Sequence, residues 1–418
     1  MAGTVGDTLG VTVYAVGGIV RDLYLERTTR DVDLAVEGDS LRFARALAQR
    51  VGGAITTHPR FGTAHIALPS QGLGVVIDVS LDIAQTRTET YAEPAALPKV
   101  RPGTIHEDLA RRDFTCNAMA IPLNGPTRGR LLDPFDGSRD LDARVIRTLH
   151  ADSFRDDPTR IFRAVRFAAR LCCRIHPSDR RAIDVVFAER LVAKLAPHRL
   201  TTELRLILSE ADPVSAWRLL DHLAVLRAIH REIGWSSTQI ARCRRLEPTM
   251  AMLARHGIQQ PGLAQPVWLL WLAALLLQVP HTSSAALLAR LEIPTDARTC
   301  IEQVRRIKRW VERIAIAKKL TRLSKLAEKL DELDAMGLAL LVTLSEGRTT
   351  RVLLRRYVAR SNAAQPVVTG RDLQRLGIPA GPQYRQILLR IRRAKLDGKI
   401  RSEADEWALV RQFSKRHG

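Results

Sequence analysis

Up to about residue 140, apolar and polar positions alternate in short runs, "VTVYAVGG", "DVDLAV", "TAHIALP", "GVVIDVSL" and "AMAIPL", separated by Gly- and Pro-marked turns. A period of two predicts strands, and one or two helices fit between them, so this segment reads as an α/β or α+β head. From Asp157 onward the period becomes 3.6, beginning with "TRIFRAVRFAARLCC", and alternation almost disappears. The remainder is expected to be all helical, with breaks near Pro197, Gln259 to Gln265, Leu291 to Asp296 and Ser361 to Thr369. The longest apolar run, Val267 to Leu277, is shorter than the roughly 20 residues a membrane span requires. It reads as a buried core helix opened by Pro266.

Charge sharpens this picture. The 418 residues carry 65 Lys and Arg against 44 Asp and Glu, a net charge of +21. Residues 301–418 alone hold 27 basic against 12 acidic residues, a concentration that suits a polyanion such as nucleic acid better than general solubility does. The five cysteines, Cys116, Cys172, Cys173, Cys243 and Cys300, show no C-x-x-C spacing, which supports neither a zinc site nor a disulfide framework. A soluble protein of the reducing cytoplasm is expected, with no membrane span and no secretory leader.

The candidate chemistry begins at "VYAVGGIVRDLYLERTTRDVDLAV", residues 13–36. On a strand, Asp31 and Asp33 share one face while Val32, Leu34 and Val36 share the other. Two carboxylates at that spacing can bracket a pair of Mg²⁺ ions for displacement at phosphorus. Gly17 and Gly18 read as a turn from a strand into a helix whose first amides, with Arg21, suit a triphosphate. Asp78, inside the apolar run "GVVIDVSL", is a candidate third catalytic carboxylate, since a charge buried there needs a metal or cation. The plainer alternative for each is a solvated or salt-bridged strand-end carboxylate.

The ordered motifs "GGIVRD…RDVDLAV", "EDLARRDFTCNAMAI", "LLDPFDGSRDL" and "RDDPTRIFRAVRFAARL" resemble those of bacterial class II tRNA nucleotidyltransferases and their poly(A) polymerase relatives, over roughly the first half of the chain. The resemblance implies an α+β fold: a polymerase-beta-like nucleotidyltransferase head with a small mixed sheet (1–142), then an all-helical neck (143–205), body (206–320) and basic tail (321–418). It implies Mg²⁺ held by Asp31 and Asp33, and CTP and ATP as substrates. Nucleotide binding then falls to Gly17, Gly18, Arg21, Arg111, Arg112, Asp113 and Asn117 on the sugar and triphosphate side, and to Asp157, Arg160, Arg163 and Arg166 in the neck. Asp133 and Gly137 to Asp140 match the head-to-neck hinge. The i and i+3 spacing of Asp157 and Arg160 places the two base readers on one helix face.

Two departures from the family pattern stand out. Asp156 replaces Glu in "ED-x-x-R", and His198 takes an acidic place ahead of Arg199 and Glu203. Residues 84–97 correspond to the family's mobile loop, with Arg87 and Glu89 as its chemical residues. In the tail, "VVTGRDLQRLGIPAGPQYRQILLRIRRAKLDGKI" offers a helix capped by Thr369, another started by Pro382, and Arg371, Arg385, Arg392 and Arg393 for RNA phosphates. It resembles the element that holds the tRNA elbow. The implied function is template-independent nucleotide addition to an RNA 3′ end, with CCA addition to tRNA first. A poly(A) polymerase, a CC-only or A-only enzyme and a silent RNA-binding protein are the alternatives.

Overall fold

The computed structural model describes residues 1–29, 31–68, 80–90, 92–96, 98–230, 234–258, 267–316 and 322–417. The chain divides into two compact units, Met1–Ile229 and His230–Gly418.

The first unit opens with helix α1 (Ala2–Leu9), strand β1 (Thr12–Val16), α2 (Gly18–Tyr24), β2 (Asp31–Glu37), α3 (Ser40–Val51), β3 (Ala54–His58), β4 (Thr63–Ala67) and β5 (Ser80–Gln85). A hairpin of β6 (Arg87–Thr90) and β7 (Lys99–Pro102) follows, then α4 (Ile105–Ala110), β8 (Ala120–Pro122) and α5 (Gly137–Asp142). The six-stranded sheet runs β3-β4-β5-β2-β1-β8. It is mixed: β2 and β5 are parallel and every other neighbouring pair is antiparallel. Tyr14, Val16 and Ala35 of the central strands join Ile105, Leu109, Ala118 and Ala120 in one core cluster. The segment 84–97, read from sequence as a loop, contains the whole of β6, because its polar Thr and Glu residues pair with β7.

The pairing explains where the acidic residues sit. The β1–β2 ladder stops at Ala15 opposite Leu34, whereas β2 continues beside β5 from Asp31 opposite Ser80 to Asp33 opposite Asp82. Beyond Val16, β1 turns away at Gly17 into α2, so Asp31 and Asp33 emerge where β2 outruns its neighbour. The same unit continues as helices α6 (Ser153–Asp156), α7 (Thr159–Leu171), α8 (Pro177–Ala188), α9 (Leu191–Lys194), α10 (Pro197–Leu208), α11 (Pro213–His222) and α12 (Val225–Ile229). α7 packs on α10 and α11 through its apolar face and turns its arginines to the other side.

The second unit is helical throughout its described residues: α13 (Ser237–Cys243), α14 (Leu246–Arg255), α15 (Val267–Leu276), α16 (His281–Arg290), α17 (Thr295–Ile316), α18 (Leu323–Leu330), α19 (Ala335–Leu344), α20 (Arg348–Ser361), α21 (Gly370–Arg375), α22 (Pro382–Leu396) and α23 (Glu403–His417). α15 and α19 are apolar on every side and form its centre, as all-round hydrophobic helices must. Pro266, expected to open α15, lies outside the described residues. A separate small core of Val368, Leu373, Ile378, Ile387, Ile391, Ile400 and Val410 holds the last three helices together. Thr369 forms a capping box with Asp372 at the start of α21, and Pro382 is the first residue of α22. No described helix is long and apolar enough to cross a membrane.

Candidate active site

Gly17 has φ 72°, a backbone conformation that side chains other than glycine's adopt only with strain, and a Cβ there would lie 2.8 Å from Nη1 of Arg112. The turn therefore brings the start of α2, the strand carboxylates and Arg112 together. Arg21 is buried on α2, where its Nη1 donates to Asn117 Oδ1 at 2.8 Å and its Nε to Asp22 Oδ1 at 2.9 Å. Burial pushes the Asp33 carboxyl up. Arg112 and Arg21 pull against that, while the adjacent carboxylates Asp82 and Asp31 add to it. Asp82 was not anticipated from the sequence, and no local signal marks it. The proposed third carboxylate, Asp78, lies outside the described residues. His65, opposite Asp82 on β4, places its Nδ1 2.8 Å from Asp82 Oδ1.

The two adjacent arginines after α4 share one buried anchor. Thr104 and Glu107 form a capping box that starts the helix, which carries Asp108 inward. Asp108 Oδ1 accepts from Arg111 Nε at 3.0 Å and Nη2 at 2.6 Å, and Oδ2 from Arg112 Nη2 at 2.9 Å. Burial alone would raise this carboxyl, but Arg112 and Arg111 outweigh it and hold it below the usual carboxylate range. The sequence signal was present, an acid three and four residues before two arginines. Glu89 of β6 also accepts from Arg111, at 2.9 Å, and from Arg87 at 2.9 Å. Asp113 links the head to α7: its Oδ1 accepts from Asn117 Nδ2 at 3.0 Å and its Oδ2 from Arg163 Nε at 2.7 Å. Against its burial, Arg163 and the Asn117 amide keep Asp113 below the usual carboxylate range.

Asp157 and Arg160 are brought together, though not on one helix face. Asp157 is extended, with φ −139° and ψ 96°, and closes α6, while Arg160 belongs to α7. Pro158 between them prevents α6 from continuing. Asp157 Oδ1 takes three donors: Thr159 N at 2.9 Å, Thr159 Oγ1 at 2.6 Å and Arg199 Nη2 at 2.8 Å. Arg160 is buried and donates to Ser153 Oγ at 2.6 Å and to the Arg111 carbonyl at 3.0 Å. His198 is exposed and outside the cavity, whereas Glu203 lines it beside Arg163 and Arg166, its carboxyl pushed up by burial despite both arginines.

These residues line one cavity of about 640 Å³. It gathers Gly17, Gly18, Arg21, Asp31, Asp33, Arg111, Arg112, Asp113, Asn117, Asp157, Arg160, Arg163 and Arg166, and adds Phe167 and Arg170, which sequence reasoning missed. Its size is that of a small-molecule pocket. No three His, Cys, Asp or Glu side chains among the described residues converge to hold a metal unaided. Asp31 and Asp33 nonetheless offer hard oxygen donors, and the raised Asp33 carboxyl is a group that a cation would relieve. This suits Mg²⁺, which binds through one or two carboxylates and completes its shell with water and phosphate oxygens.

The tail arginines divide into two pairs. Arg371 and Arg385 are exposed. Arg392 is held at both ends by Asp331, at 2.6 and 2.7 Å, and Arg393 reaches Glu328 at 3.0 Å. Arg392 therefore tethers α22 to α18, a role the sequence did not signal.

Residues 13–147 match the Poly A polymerase head domain. An A-adding tRNA nucleotidyltransferase of Geobacter sulfurreducens is 35% identical over 98% of this chain, which spans 46% of that relative's length. A second, from Halalkalibacterium halodurans, is 32% identical over 98% of this chain and 91% of its own. Among solved structures, the Thermotoga maritima CCA-adding enzyme complexed with tRNA(CCA) superposes with a TM-score of 0.78 at 27% identity, covering 99% of this chain and 93% of that one. Likeness over nearly the whole of this chain, and over nearly the whole of the Halalkalibacterium relative, with the site assembled as above, means that the chain belongs to the tRNA nucleotidyltransferase family, on the head domain that family shares with poly(A) polymerases.

Proposed function

We propose that this protein is a template-independent RNA 3′-terminal nucleotidyltransferase that builds or repairs the CCA end of tRNA from CTP and ATP, releasing pyrophosphate. The observation that carries the reading is one cavity lined by the strand carboxylates Asp31 and Asp33, by Arg21, Arg111 and Arg112, and by Asp157 and Arg160. Asp31 and Asp33 would hold Mg²⁺, which when bound would offset the negative charge of the triphosphate and acidify the attacking 3′-hydroxyl. Arg111 and Arg112, aimed by Asp108, and Arg21, aimed by Asn117 and Asp22, present donors to the phosphates. Asn117 braces Arg21, Asp113 braces Arg163, and both would offer polar atoms to the ribose.

Base choice follows from donor and acceptor order. Cytosine and adenine both present an amino donor beside a ring-nitrogen acceptor, and uracil and guanine present the reverse. Asp157 keeps Oδ2 without a hydrogen bond among the described residues, so it can accept from the amino group while Arg160 donates to the ring nitrogen. One pair therefore admits both permitted bases. The head (1–142) would carry the chemistry, the neck (143–205) base reading, and the body and tail (206–320 and 321–418) the tRNA, whose phosphates suit the basic tail. Five free cysteines agree with a reducing cytoplasm.

The names of both relatives described above favour a second reading, addition of the terminal A alone. One assay separates the readings: purified protein with Mg²⁺, labelled CTP or ATP, and tRNAs ending before the first C or after CC. Addition of CC and one A supports the first reading, and addition of A only to the CC end supports the second. ATP runs on unrelated RNA would indicate a poly(A) polymerase and overturn both.

A further inference from the structure

The ring of Phe167, lining the cavity, has four guanidinium groups over it. The Cζ atoms lie at 4.9 Å for Arg166, 5.2 Å for Arg21, 5.6 Å for Arg163 and 5.9 Å for Arg170 from its centroid. Arg163, Phe167 and Arg170 fall at i, i+4 and i+7 of α7, so one helix face gathers them, and Arg21 arrives from α2. Significant cation–aromatic pairs occur about once per 70–80 residues, so four on one ring exceed the background of ordinary packing. The ring is itself fixed by an edge-on contact with Phe114, centroids 5.8 Å apart and planes at 80°. Phe114 follows Asp113, so the residues that clamp Arg163 and that orient the ring are chain neighbours.

Three of the four arginines have a close carboxylate: Asp22 for Arg21, Asp113 for Arg163 and Glu210 for Arg170. Arg166 reaches Glu210 only at 4.0 Å, and its buried Nε has no hydrogen-bond partner among the described residues. A carboxylate stabilises a guanidinium through its N–H edge and occupies those donors. An aromatic face attracts the same cation through its π cloud and leaves the edge free. A site that must gather positive charge for a polyanion gains from the second arrangement.

We propose that Phe167 is a positioning residue for the phosphate chain of the incoming nucleotide. Its ring holds the guanidinium groups of Arg21, Arg163, Arg166 and Arg170 as one cluster, in which Arg166, whose Nε makes no hydrogen bond among the described residues, keeps donors for the β- and γ-phosphates. This rests on the nucleotidyltransferase reading and adds to it the organiser of its phosphate-side arginines. Base choice would fall to Asp157 and Arg160 and not to these arginines, so discrimination between bases is expected to be independent of the ring.

The test compares full-length Phe167→Leu, Phe167→Met and Phe167→Tyr. Binding of inorganic tripolyphosphate is measured by calorimetry, and tRNA extension by ATP is measured alongside. Leu and Met are expected to weaken tripolyphosphate binding and raise KM for ATP about tenfold, with kcat and discrimination against UTP within about twofold of wild type, and Tyr to stay near wild type. A series of increasingly fluorinated phenylalanines at position 167 keeps the ring's shape, and so its packing, while draining its electron density. Tripolyphosphate affinity should fall stepwise along it. Leu and Met matching Tyr, or affinity flat across the fluorinated series, overturns the proposal. Wild-type protein that binds tripolyphosphate in this ring-dependent way but extends no RNA leaves the positioning role standing and refutes the nucleotidyltransferase reading instead.

Discussion

Arg199 donates to Asp157 Oδ1 at 2.8 Å from a helix 42 residues further along the chain, and Asp157 Oδ2 makes no hydrogen bond among the described residues. Asp157→Ala should lower use of CTP and ATP and raise relative incorporation of UTP or GTP, because a matched hydrogen-bonding pair can reject the wrong base by up to about 10⁴-fold. Arg199→Ala should move discrimination in the same direction by a smaller factor, since Thr159 still holds the carboxylate. Competition assays with paired nucleotides read both effects. A loss of rate with full discrimination in Asp157→Ala removes this residue from base reading.

Asp31→Asn and Asp33→Asn should each abolish incorporation while RNA binding stays near wild type, because a neutral amide is a poor ligand for Mg²⁺. Asp33→Asn should also slightly raise the melting temperature of metal-free protein at neutral pH. The folded carboxyl lies above its ordinary value, so keeping it ionised costs stability that the amide avoids. A lower melting temperature for the amide would contradict this.

Asp108→Asn should destabilise the first unit by about 3 kcal/mol, because it leaves two arginines without their buried partner. It should also raise KM for both nucleotides as Arg111 and Arg112 lose their aim. The pH dependence has a definite sign. The folded carboxyl lies below its unfolded value of about 3.9, so its contribution is complete above that pH and is lost as pH falls through the folded value. Denaturant melts of wild type and variant should therefore converge only in the acid range, below about pH 4.

In the tail, Arg371→Ala with Arg385→Ala should raise KM for full tRNA and flatten its salt dependence, with little effect on a minihelix lacking the elbow. Arg392→Ala should behave differently, lowering tail stability by about 2 kcal/mol as the Asp331 tether is lost. Equal losses on tRNA and minihelix for the double variant would place these arginines away from the elbow.

Much of this was legible in the sequence, because it depends on neighbours. Side-chain alternation put Asp31 and Asp33 on one face, the 3.6 period turned the arginines of α7 to one side, and Thr369 and Pro382 marked helix starts. Four ordered motifs carry most, though not all, of the residues that line the cavity. What the sequence could not show depends on partners distant in the chain. Asp82 faces Asp33 only because β5 lies parallel to β2 in that register. Asp157 left the helix face its spacing suggested because Pro158 separates α6 from α7, and it gained Arg199 instead. Phe167 was an ordinary apolar position until packing set four arginines over it, and Arg392 an ordinary basic one until α22 met Asp331 at the end of α18. Local periodicity encodes which face a side chain takes, whereas strand register and helix packing decide what that face meets.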